Sequence, residues 1–82
     1  MSPRLPRDLN GVQLARALGA LGYQLARQTG SHIRLTTQQN GEHHVTIPAH
    51  TPLRVGTLAA ILADVGEHFG IERGDLLDRL FS

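Results

Sequence analysis

Five histidines stand in this 82-residue chain, and His32 is the one with neighbours suited to chemistry. It follows Gly30-Ser31 and is bracketed in sequence by Arg27 and Arg34. An imidazole, with an ordinary pKa of about 6.5, takes up or releases a proton near neutral pH, and guanidinium groups hold phosphate oxygens. Transesterification of an RNA phosphodiester needs both functions. One group takes the proton from the 2′-hydroxyl, and cations neutralise the phosphorane that forms, with no metal required. On spacing alone His32 reads first as a solvated strand residue, so the elements around it must supply the rest.

The other candidates are weaker. His43 and His44 are adjacent, and adjacent strand residues point to opposite faces, so the pair cannot easily share an ion. Glu42 is the only carboxylate at ligand spacing, whereas a zinc site takes three or four ligands. Polarity at the end of a hairpin explains the pair better, and no metal site is expected. His50, after Pro48-Ala49, can lie near the same rim as His32, where a second acid/base role, a phosphate-contacting role and plain loop polarity are all open. His68 reads as a surface residue near a helix C-terminus. Ser31 adjoins His32, but neighbouring strand side chains diverge, so no Ser-His pair is expected. The three aromatic residues, Tyr23, Phe69 and Phe81, are too few for a base-stacking platform. With no cysteine, disulfides and thiolate chemistry are excluded.

The positioning elements follow from periodicity. From Asp8 to Leu21, Leu14, Ala17, Leu18 and Leu21 recur at helical spacing, with Asp8 or Asn10 as cap and Gly22 as stop. Tyr23 to Gln28 alternates as a strand, with Tyr23, Leu25 and Arg27 set against Gln24, Ala26 and Gln28. Thr29-Gly30-Ser31 is a turn. His32 to Thr37 is a second strand, with Ile33 and Leu35 on one face and His32, Arg34 and Thr36 on the other. Asn40-Gly41 signals a hairpin, His43 to Ile47 a third strand, and Pro48 its end. Val55 to Phe69 carries Val55, Leu58, Leu62, Val65 and Phe69 on one helical stripe, stopped by Gly70. Glu72 to Leu80 is a short last helix, with Leu76, Leu77 and Leu80 expected to pack onto the sheet. This is an α+β arrangement with helices on one sheet face and the His32 face left for solvent or a ligand.

Size and charge bound the class. An 82-residue chain with 40% apolar residues supports one small core. The expected division is a flexible N-terminal arm over residues 1–8 and a single domain over 9–82. Eight arginines, no lysine and seven acids give a net charge of +1, but the distribution is uneven. Asp64, Glu67, Glu72, Asp75 and Asp78 crowd the C-terminal part, and most arginines precede them. No signal-peptide-like or membrane-spanning run is present, which leads us to expect a soluble, cytoplasmic protein.

In order along the chain stand Gly11-Val12-Gln13-Leu14, Leu21-Gly22-Tyr23, Arg27-Gln28-Thr29-Gly30-Ser31-His32, Val45-Thr46-Ile47-Pro48-Ala49-His50, Gly56-Thr57-Leu58 and Ile61-Leu62. Each segment is a weak motif, but the ordered set, from about Leu9 to Leu77, resembles the HicA family of bacterial toxins. The resemblance implies a double-stranded-RNA-binding-domain-like α-β-β-β-α fold, here with a short extra C-terminal helix. It also implies a metal-independent, cofactor-free endoribonuclease acting on mRNA, with His32 as catalytic histidine and a HicB-type antitoxin as partner. Arg27, Gly30, Ser31, Arg34, His50 and Arg54 are then the expected RNA-contacting set. Ile33 stands where many members have a second histidine, and arginines stand where many have lysines. The alternative reading is a non-catalytic RNA- or protein-binding module on the same fold.

Overall fold

The computed structural model describes residues 5, 8–49 and 53–81. The order is α1 (Gly11–Leu18), a 3-10 turn (Gly19–Leu21), β1 (Gln24–Thr29), β2 (His32–Thr37), β3 (His43–Pro48), α2 (Val55–Phe69) and α3 (Arg73–Phe81). This is the α+β arrangement of helix, three antiparallel strands and two helices expected from the sequence.

Of the two possible caps, Asn10 starts α1. Its Oδ1 accepts from the Gln13 N–H at 2.8 Å, and the Gln13 side chain accepts from the Asn10 N–H at 2.9 Å. This reciprocal capping box satisfies two amide donors that the helix itself leaves free. Asp8 therefore lies before the helix rather than in it. Gly22, at φ 83°, takes the left-handed conformation that turns the chain toward β1.

The sheet order is β1-β2-β3. β2 occupies the expected residues, while β1 starts one residue later than alternation alone suggests and β3 runs on to Pro48. Pro48 is tolerated because β3 is an edge strand. Asn40 and Gly41 both have positive φ, 58° and 96°, the condition that favours Asn-Gly in hairpins.

Helices cover one face. Ile33, Leu35, Val45 and Ile47 point from β2 and β3 into a core shared with Leu14, Leu18, Leu58, Leu62, Val65 and Leu76. Thr37 is the one buried polar residue among those described. Its hydroxyl donates to the Leu21 carbonyl at 2.9 Å and accepts from the Gln39 N–H at 3.1 Å, so its burial is compensated. α1 packs on β2 and β3, and α2 on β3. The closest packing of α3 is against α2 and α1, not against the sheet as expected. β1 overhangs this helical layer: all six of its residues are exposed, and Leu25 is 60% exposed although it faces the helix side. At the N-terminus, Leu5 and Leu9 are half-buried against the core.

Candidate functional site

The register defines the open face. Across β1, β2 and β3, Thr29 lies opposite His32 and His32 opposite Pro48; Arg27 opposite Arg34 and Arg34 opposite Thr46; Gln24 opposite Thr36 and Thr36 opposite His44. Directly opposed antiparallel residues share a face. These nine positions therefore form three rows on the side away from Ile33 and Leu35.

Arg27 reaches this face through an irregularity. Strict alternation puts Arg27 on the same side as Tyr23 and Leu25, as the sequence pattern suggests. Instead the register shifts between Leu25 and Arg27, leaving Ala26 as a bulge. The extra residue moves everything after it to the opposite face. Leu25 thus stays over the helix side, opposite Leu35, while Arg27 stands beside Arg34. Two like charges directly opposite each other are destabilising, and an anion between them removes the penalty. The structure brings together Arg27, Arg34 and, one row on, His32.

His32 is exposed at the start of β2. The preceding turn has Gly30 at φ 49°, a conformation that a side chain would disfavour. Ser31 belongs to that turn and not to the strand, so the rule that neighbours diverge does not hold here. Its hydroxyl lies 3.5 Å from His32 Nδ1. That is the outer limit of a hydrogen bond, close enough to orient the ring and too long to activate the serine. His32 Nε2 has no partner among the described residues. The Ala49 N–H donates to the Ser31 carbonyl at 2.6 Å, which ties the exit of β3 to the turn. His50 lies outside the described residues. Arg54 is exposed at the N-cap of α2, with no side-chain capping bond, and no side-chain hydrogen bond or ion pair joins it to the three-row face among the described residues.

Two residues on this face were not expected there. His44 projects from it, its Nδ1 2.7 Å from the Thr36 hydroxyl and its Nε2 3.7 Å from a Glu42 carboxylate oxygen. Thr46 fills the arginine row. The alternation of His44 and Thr46 with Val45 and Ile47 carried this signal.

His43, as expected, faces the other way, but it is more than hairpin polarity. Its ring stacks on His68 with centroids 4.4 Å apart. Its Nδ1 lies 2.7 Å from the Tyr23 hydroxyl and its Nε2 3.2 Å from Asp64. His68 is half-buried and not a free surface group: its Nε2 donates to the Gln39 carbonyl at 3.0 Å, and its own carbonyl accepts from Asn40 at 2.8 Å. This cluster clamps the β2–β3 hairpin to the end of α2. Burial, with the Asp64 charge as a smaller cause, raises the Tyr23 hydroxyl from 10.0 to about 12. Tyr23 is thus a neutral structural donor and no acid–base group. Among the described residues no cluster of three or more His, Asp or Glu could hold a metal ion, and no helix is long and apolar enough to cross a membrane.

The open face is therefore cationic and polar, free of Phe, Tyr and Trp, with the exposed imidazoles of His32 and His44 at its two ends. No curated protein and no solved structure matches the chain. A family model does: the HicA toxin of bacterial toxin–antitoxin systems matches residues 11–67, a span holding α1, the whole sheet and most of α2. The chain belongs to the HicA toxin family.

Proposed function

We propose that this toxin is a metal-independent endoribonuclease acting on mRNA in the cytoplasm, and that the open sheet face is its active surface. The observation that carries the reading is the placement of an exposed His32 one row from the opposed Arg27–Arg34 pair. His32 takes the proton from a ribose 2′-hydroxyl; the 2′-oxygen attacks the adjacent phosphorus, the bond from phosphorus to the 5′-oxygen breaks, and that oxygen takes a proton from water as it leaves, while His32 returns its own to solvent. The products are a 2′,3′-cyclic phosphate and a 5′-hydroxyl. Arg27 and Arg34 hold the phosphate and offset the charge of the phosphorane. Gly30 and Ser31 shape the turn that presents the imidazole, and Arg54 and His50 extend phosphate contact beyond the strands. A HicB-type antitoxin covers the same face and so blocks RNA. Residues 9–82 act as one domain; most of the 1–8 arm expected from the sequence lies outside the described residues.

The second reading is a non-catalytic RNA- or protein-binding module. It is favoured by one observation: the only side chain bonded to His32 among the described residues is the Ser31 hydroxyl, at 3.5 Å, so none of these residues supplies it with a bonded second proton-transfer group. Induced expression of wild type and His32→Ala separates the two. The nuclease reading expects growth arrest and RNA fragments with wild type only, at equal thermal stability of the purified proteins. Equal arrest by both variants assigns toxicity to binding and removes His32 from catalysis.

A further inference from the structure

The third row of the open face has no part in cleavage as just described, and its geometry suits a different task. With a strand rise of about 3.3 Å per residue, the Thr36–His44 row lies about 13 Å along the strands from the His32 row, with the arginine row between. No single phosphodiester spans that distance, so His44 is not the missing second acid–base group. A strand of nucleotides held by its phosphate on Arg27 and Arg34 does reach it.

We infer that His44 and Glu42 form a nucleobase-reading subsite for single-stranded RNA, placed on the far side of the arginine pair from His32; this rests on the ribonuclease reading of the same face. Thr36 holds Nδ1 of His44 at 2.7 Å, fixing the ring and turning Nε2 toward Glu42. The 3.7 Å gap there is too wide for a hydrogen bond. With Thr36 donating to Nδ1, Nε2 of His44 carries the proton, so an imidazole donor and a carboxylate acceptor stand side by side; the other carboxylate oxygen accepts from Gln38 Nε2 at 3.4 Å. Both are open to solvent, at 41% and 62% side-chain exposure. Their order matches a base edge that places an acceptor beside an amino donor, and a carboxylate accepting from an exocyclic amine is a recognised base contact. Hydrogen bonding has to carry most of the recognition, since the rows hold no Phe, Tyr or Trp.

The test uses the full chain and 2′-O-methyl octanucleotides, which lack the attacking hydroxyl and are not cut. One abasic position is walked along the oligonucleotide, and affinity is measured for wild type, His44→Ala and Glu42→Gln. Wild type is expected to lose about tenfold affinity at one abasic position. Both variants are expected to bind intact RNA about tenfold more weakly and to be indifferent to the abasic site at that position. Glu42→Gln keeps the side-chain shape, and thermal unfolding of each variant checks that it folds. A wild type that binds but shows no position-dependent loss, or variants that keep the full wild-type profile, overturn the subsite and leave the cleavage reading standing. A wild type that binds none of the oligonucleotides at low salt overturns both.

Discussion

At the scale of single residues, the proposed site has Arg27 and Arg34 working against the fold and for the ligand. Directly opposed like charges cost about 0.2–1 kcal/mol, so Arg27→Gln is expected to raise thermal stability slightly while weakening RNA binding. A gain in affinity, or a clear loss of stability, would remove the pair from the phosphate site. Tyr23 makes a separate prediction about pH. Its folded pKa, raised by burial and then by Asp64 to about 12 from 10.0, favours the neutral form in the native state. The stability this contributes is complete below pH 10 and is lost as pH rises through 12. Tyrosinate absorbance in the native protein should therefore appear well above its ordinary range, and Asp64→Asn should move it downward.

At the scale of elements, the bulge and the glycines govern where the chemistry sits. Gly11 opens α1 against the end of β3, where an added Cβ would collide with the Pro48 carbonyl. Gly11→Ala is expected to cost about 1–3 kcal/mol by overpacking, read as a lower midpoint in denaturant unfolding. Because Pro48 and Ala49 carry the bond to Ser31, the same substitution should lower His32-dependent cleavage even where the protein remains folded. Much of this architecture was legible beforehand. β2, α2 and the hairpin follow from signals local to the chain: alternation about Ile33 and Leu35, the stripe from Leu58 to Val65, Asn40-Gly41 and Gly70. The switch of Arg27 to the open face was not, since alternation carries no mark of a bulge. The His43–His68 stack was not legible either, because it joins a hairpin to a helix end 25 positions away, and only tertiary packing brings them together. Ser31 was correctly assigned to the turn, but its relation to His32 was judged by a rule that holds only within strands.

At the scale of the whole molecule, a net charge of +1 conceals a division of labour. The three rows present Arg27 and Arg34, while α2 and α3 carry Asp64, Glu67, Asp75 and Asp78 in the layer behind. With one phosphate neutralised by the arginine pair, log affinity for single-stranded RNA should fall with log salt at a slope of about −0.7. Arg34→Gln should flatten that slope, and a slope unchanged by the substitution would place phosphate contact elsewhere. The hairpin clamp of Tyr23, His43, Asp64, His68 and Asn40 lies at the opposite end of the sheet from His32. Its substitution should alter the folded fraction without touching the reacting groups. Toxic dose in a cell depends on the number of folded copies, so the clamp offers graded attenuation where His32 offers only on or off. A lineage can weaken its toxin there by small steps and restore it by one reversion.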